Sequence, residues 1–291
     1  MRKKGLMLFG VLVLLAVTVV PAFAVTDGTP DEEGHPYVGL MVAKNADGNV
    51  LWRCSGTLLS STVFLTAGHC TEAPAVEAAI WFDSGYPDEI PIDPDYVSLA
   101  AGGPSCADPA VTIYPCEGYD ATGPVFTHPL YDPDAFFLYD LGVVVLDEPY
   151  VSPNGVYGHV PQLNQLDSLK PRRSTTFTAV GYGLQRSFPN AAAWKNVAFR
   201  TRMYATPHLL QINTGFTGDF SLLLSNNANT GGTCFGDSGG PNFIGVSNVI
   251  AGVTSYGLNR PCGGTGGVYR IDRADDLQWL YEEFGIGVSV E

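Results

Sequence analysis

Glycine and proline set the scale of what this chain can build. With 34 glycines and 21 prolines over 291 residues, few uninterrupted runs remain that could carry a long helix. Between the breaks lie short apolar runs at 37–42, 63–66, 141–146, 177–180 and 249–254, bounded by Gly, Asn and Pro. Runs of that length and flanking are strand signals. Helical spacing occurs only near the end, where Leu277, Leu280, Tyr281 and Phe284 recur over 273–284 with Asp272 placed as an N-cap. No repeat or low-complexity tract interrupts this pattern. The expectation is an all-β protein closed by a C-terminal helix. Residues 151–169 are polar, rich in Pro and Asn and weakly periodic, which makes them the candidate linker between β units at 25–150 and 170–291.

Residues 1–24 read as a signal peptide. Arg2, Lys3 and Lys4 precede an apolar stretch over 6–20, Pro21 ends it, and Ala22-Phe23-Ala24 is a small-x-small cleavage site. A retained anchor is the alternative, but the apolar core falls short of the roughly 20 residues that span a bilayer. The expected product is secreted or periplasmic, with no membrane association after cleavage. Its charge excludes one class of partner. With 29 Asp+Glu against 15 Lys+Arg, the chain carries a net charge of −14 and repels nucleic acid. The six cysteines, Cys54, Cys70, Cys106, Cys116, Cys234 and Cys262, read behind such a leader as disulfides whose pairing the sequence leaves open. A zinc site lacks the necessary C-x-x-C or H-x-x-x-H spacing, and no metal or other cofactor is expected. Cys106 and Cys116 lie close enough to pin a local surface loop.

Three motifs carry chemistry. Thr66-Ala67-Gly68-His69-Cys70 places a histidine at the end of an apolar strand. Asp140 opens the apolar run Leu141-Gly142-Val143-Val144-Val145-Leu146. Gly236-Asp237-Ser238-Gly239-Gly240-Pro241 surrounds a serine with backbone-flexible residues. An alcohol is a weak nucleophile until a base takes its proton, and an imidazole base needs its tautomer fixed. A carboxylate amid apolar residues costs several kcal/mol unless paired, and pairing with imidazole answers both needs. Taken singly, each has a structural reading: a serine between glycines is a common turn residue, and His35, His128, His159 and His208 are read as structural.

The order TAGHC, DLGVVVL, GDSGGP resembles the trypsin/chymotrypsin-like serine protease family, in an exported, bacterial-type member. Arg53-Cys54-Ser55-Gly56-Thr57-Leu58, His128-Pro129-Leu130-Tyr131, Val180-Gly181-Tyr182-Gly183 and Ser255-Tyr256-Gly257 extend the likeness over most of the chain after the leader. The resemblance implies two antiparallel Greek-key β-barrels, the N-terminal one carrying His69 and Asp140 and the C-terminal one Ser238. It implies a monomeric serine endopeptidase acting on a polypeptide, with His69, Asp140 and Ser238 catalytic and the N–H groups of Gly236 and Ser238 as the oxyanion hole. Asp237 would pair with a liberated amine of Val25, since Val25-Thr26-Asp27-Gly28 resembles the family's mature N-terminus. Cys54–Cys70 and Cys234–Cys262 match family bridges, whereas Cys106–Cys116 has no counterpart. Gly232, Ser255, Tyr256, Gly257 and Gly267 would form the substrate pocket. With glycine at its floor, no carboxylate awaits a basic side chain, so apolar or aromatic P1 residues are expected.

Rival readings fail or remain as alternatives. Gly236-x-Ser238-x-Gly240 also fits the nucleophile elbow of α/β-hydrolases, but that fold needs its histidine after the serine and the last histidine here is His208. Subtilisin order needs an aspartate motif before the histidine, and Asp27, Asp31 and Asp47 lie in none. The acidic loop with Asp83, Asp88, Glu89, Asp93 and Asp95 is read as solvated rather than calcium-binding. A catalytically silent homologue acting as a binding module is the alternative of another class, although no member of the triad is missing.

Overall fold

The computed structural model describes residues 25–85 and 118–289. The expected leader at 1–24, the Cys106–Cys116 pair and most of the acidic loop lie outside them. Strand β1 (Thr29–Pro30) precedes a closed barrel of β2 (Val38–Lys44), β3 (Val50–Leu58), β4 (Val63–Thr66), β5 (Glu77–Trp81), β6 (Ala121–Thr127) and β7 (Gly142–Val145). Around it the order is β2-β3-β4-β7-β6-β5, all antiparallel, with β5 returning beside β2 as in a Greek key. Strands β2, β3 and β4 are buried on nearly every residue, polar Arg53, Ser55 and Thr57 of β3 included.

The second barrel is built from β8 (Arg172–Gly181), β10 (His208–Thr214), β11 (Gly218–Asn226), β12 (Pro241–Ile244), β13 (Ile250–Gly257) and β14 (Gly264–Arg270). It closes through β8–β12, while the short β9 (Met203–Ala205) pairs outward with β8 and carries β1. The expected all-β architecture of two antiparallel barrels is therefore the observed one, with six strands in each.

Apolar packing runs without a break from one barrel to the other. Phe64, Leu65, Val143 and Val144 of the first share a cluster with Val180, Phe243, Val253 and Tyr269 of the second. Beside it lies a buried polar junction. Arg202, fully buried, donates to Asp31 Oδ2 at 2.8 Å, to the Phe82 carbonyl at 2.9 Å and to the Glu32 carbonyl at 2.6 Å. One guanidinium thus ties the N-terminal segment to both barrels, and its charge is answered by a buried carboxylate.

A four-residue helical turn, α1 (Gly68–Thr71), follows β4, and the C-terminal helix α2 (Ala274–Phe284) ends the fold. The sequence placed Asp272 as the cap of α2. Arg273 occupies that position instead, because the Asp272 carboxylate is taken by Arg270 Nε at 2.8 Å and by the Leu166 N–H at 2.8 Å. Among the described residues no helix is long and apolar enough to cross a membrane.

Candidate active site

β4 delivers His69. The turn α1 packs on the start of β7 so closely that a Cβ on Gly142 would sit 2.5 Å from Thr71 Oγ1 and 2.6 Å from the Ala67 carbonyl. Glycine is required there by close approach. A disulfide between Cys54 and Cys70, with Cα atoms 6.2 Å apart, fastens the same turn to β3. Just before β7, Tyr139 adopts a left-handed backbone (φ 52°). That reversal turns the Asp140 side chain back toward α1.

Asp140 is fully buried and fully engaged. It accepts from the His69 backbone N–H at 2.9 Å, from His69 Nδ1 at 3.0 Å to each oxygen, and from Ser255 Oγ at 2.5 Å. The Nδ1 contact fixes the imidazole's tautomer and leaves Nε2 as its free nitrogen. Burial by itself would lower the pKa of His69, but the Asp140 charge and hydrogen bond, with a contribution from Glu72, raise it above its ordinary value. Ser255, expected in the substrate pocket, has a second use: its hydroxyl fills the last acceptor site of the carboxylate.

Ser238 comes from the opposite barrel, on the loop between Cys234 and β12. Backbone bonds determine this loop almost residue by residue. Asp237 N–H donates to the Cys234 carbonyl at 3.0 Å, Gly239 N–H to the Thr254 carbonyl at 2.8 Å, and the Ser238 carbonyl accepts from Ser55 N–H at 2.8 Å. Gly236 sits at φ 94°. The Phe235 carbonyl accepts from Leu184 N–H at 2.8 Å, and in a trans peptide the following N–H points the other way. The Gly236 donor is thereby turned away from Leu184, as an oxyanion hole requires. Ser55 Oγ, which itself accepts from Tyr182 N–H at 2.9 Å, donates to the Gly236 carbonyl at 2.9 Å and secures that turn. The loop also abuts the His69 side of the cleft, since a Cβ on Gly239 would lie 2.0 Å from Thr66 Oγ1.

His69 and Ser238 open onto one cavity of about 490 Å³, whose walls include Thr233, Phe235, Ser255, Tyr256, Gly257 and Arg260. Gly232 and Gly267, expected there, do not border it. Asn226 fills the space beside Gly232, where a Cβ would meet it at 2.3 Å, and the Tyr256 ring covers Gly267 at 2.4 Å. It is Gly266 whose missing side chain makes room for the cavity residue Thr233, 2.8 Å from its would-be Cβ. Cys234 and Cys262 are disulfide-bonded, which ties the serine loop to the opposite wall of the cavity.

Asp237 is fully buried and accepts from Gly183 N–H and Cys234 N–H, both at 2.8 Å. Burial pushes its carboxyl up to about 7, against the pull of those two donors and of Arg53. Val25 is also fully buried, packed with Met203 and Ala205. The next residue, Thr26, forms a β-bridge with Gly232 at the root of the serine loop. Among the remaining histidines, His35 is held by Asp31, and His128 stacks on Tyr139.

Comparison with known proteins places this geometry. The family model described as Trypsin matches residues 117–277, a stretch that contains Asp140 and Ser238 and covers more than half of the chain, and the protein belongs to that family. A curated relative, the phenoloxidase-activating enzyme of Bombyx mori, is 28% identical over 234 residues, which is 72% of this chain and 49% of the relative. The chain thus spans about half the length of that relative. Because the relative is an insect protein, it gives no support to a bacterial-type member. Among solved structures, HL collagenase superposes with a TM-score of 0.64 at 18% identity, over 90% of this chain and 100% of that one. Human heparin binding protein gives 0.59 at 16%, over 91% and 99%. At those identities the likeness is one of fold.

Proposed function

We propose that this protein is an exported serine endopeptidase. Ser238 Oγ attacks the scissile carbonyl while His69 Nε2 takes its proton. Asp140 holds the imidazole's tautomer and stabilises the imidazolium. The Gly236 and Ser238 N–H groups receive the oxyanion. The imidazolium gives that proton to the leaving amine as the scissile C–N bond breaks, and the acyl-enzyme left on Ser238 is hydrolysed by a water whose proton His69 takes. The observation that carries this reading is the buried Asp140 carboxylate bonded to His69 Nδ1, with the histidine and Ser238 facing one cavity.

Apolar or aromatic P1 residues are the proposed preference, supported by a cavity wall that includes Phe235, Tyr256 and Leu258 and, among the described residues, no carboxylate. The proposed mature N-terminus is Val25. Supporting it, Val25 has φ 44°, a left-handed conformation that β-branched residues resist. That torsion is defined across the bond to residue 24, so cleavage there removes the strain and frees an amine for Asp237. The disulfides among the described residues, Cys54–Cys70 and Cys234–Cys262, fit an oxidising compartment.

The second reading is a silent homologue that binds without cutting. The heparin binding protein has the same fold, but a net charge of −14 opposes a polyanionic ligand here. One experiment separates the two. Incubation with a serine-directed phosphonate followed by peptide mass mapping should label Ser238 and abolish turnover of peptide substrates. An unlabelled Ser238 in folded, disulfide-bonded protein would leave only the binding reading.

A further inference from the structure

Arg53 lies on β3 beside Cys54. Its side chain is fully buried, and a buried guanidinium is costly unless an anion answers it. Its Nη1 donates to the Tyr182 carbonyl at 2.7 Å. The N–H of that same peptide unit belongs to Gly183 and donates to Asp237 Oδ1 at 2.8 Å. One amide therefore lies between a cation at its oxygen and a carboxylate at its hydrogen, with its dipole favourable to both. The guanidinium also backs the oxyanion turn, since a Cβ on Gly236 would sit 2.5 Å from Arg53 Nη1 and 2.9 Å from Cζ. A Cβ there would have to displace the guanidinium, and φ 94° itself favours glycine.

We infer that Arg53 is a positioning residue of the oxyanion loop: through the Tyr182–Gly183 peptide it supplies a standing countercharge to Asp237 and a floor under Gly236, so that the loop forms before, and without, release of the Val25 amine. This rests on the protease reading above and deepens it. In a site whose only cation was the Val25 ammonium, any residue left ahead of Val25 would collapse the loop. Here the resident guanidinium is part of β3, present as soon as the barrels meet. The Arg53 charge is among the influences that draw the Asp237 carboxyl back down against its burial, and the Val25 ammonium adds to it rather than standing alone.

The test compares protein starting at Val25 with protein bearing an uncleavable N-terminal extension, each as wild type, Arg53→Met and Arg53→Lys. Disulfide-bonded material of each is assayed by phosphonate labelling of Ser238 and by kcat and KM on a peptide substrate. The extended wild type should keep kcat/KM within about tenfold of the released form, whereas losing an oxyanion donor costs about 100-fold or more. In the extended protein, Arg53→Met should lose that larger factor in kcat with KM little changed, and Arg53→Lys should recover part of it. A purely structural role would lower stability equally in both N-terminal forms. An extended wild type that fails to label, beside a released form that labels, would overturn the inference even if no Arg53 variant folds. Equal activity of Arg53→Met and wild type in the extended form would overturn it too. A released wild type that does not label removes the protease reading, and this inference with it.

Discussion

The two halves of the candidate active-site cleft are held by different means. On the first barrel, His69 and Asp140 stand at the ends of apolar strands, and one buried carboxylate gathers two bonds from the histidine and one from Ser255. On the second, Ser238 rides a loop whose shape comes from backbone bonds, left-handed glycines and the buried Asp237. The first half is organised by side-chain charge and the second by main-chain conformation. They should therefore break differently: substitutions on the histidine side should show in the pH profile, and those at the glycines of the serine loop in rate at every pH.

The sharpest expected effect is at the nucleophile. Ser238→Ala should lower kcat by about 10⁵ to 10⁶-fold with substrate binding retained, measured by turnover and by equilibrium binding of a peptide. Asp140→Asn comes next, at about 10⁴-fold. It also removes the main influence raising the pKa of His69, so the residual activity should have its acid limb at lower pH than the wild type. A limb that stays put would mean Asp140 does not govern the histidine, and the contrast between the halves would fail. Gly236→Ala should cost about 10²–10³ in kcat, because φ 94° and the Arg53 guanidinium both exclude a Cβ. That loss should be uniform across pH. Glu72→Gln is the mildest case. It removes a smaller contribution to the raised pKa of His69, so the acid limb should move down by less than in Asp140→Asn, with the plateau unchanged.

The wild-type profile follows from the same sign. The base must be neutral to accept a proton, so with its pKa raised, activity should climb only as pH passes above about 6.5. The charged imidazolium is the form that Asp140 favours. Its contribution to stability should be complete below about 6.5 and fade as pH rises through the folded value. A rate flat from pH 5 to 7 would argue against His69 as base.

How much of this was legible in the sequence divides along the same line. The apolar runs before His69 and after Asp140 specify β4 and β7, and antiparallel register carries the two side chains to one end of the barrel. An all-β chain with a terminal helix was likewise readable from run length and punctuation, whereas the two barrels came from the family resemblance of the motifs. The pocket was not, because its shape depends on a displacement that no residue type announces. The β13–β14 pairing shifts register between Thr254 and Tyr256, as at a bulge, and such a shift changes which residues face the cavity. Gly267 accordingly falls beneath the Tyr256 ring while Gly266 faces Thr233. The filling of the space at Gly232 by Asn226 is a contact across sequence of the same illegible kind. Arg53 was hidden for another reason: in a strand pattern a charged residue signals an exposed face, and only the fold reveals that it is fully buried with its Nη1 on the Tyr182 carbonyl.

The C-terminal helix begins where the second barrel ends, yet its apolar side belongs to the first. Trp279 meets His128 edge-on at 4.8 Å between ring centres, Phe284 meets Phe126 at 5.6 Å, and Asp276 accepts from Tyr269 at 2.9 Å back on β14. The last turns of the chain thus act as a clasp, fastening the later half to a wall built by the earlier one. Severing the molecule between its barrels would leave one piece with a bare hydrophobic flank and the other with a helix that has nothing to lie on. The two barrels are consequently distinct in topology but inseparable in stability, and should melt in one transition.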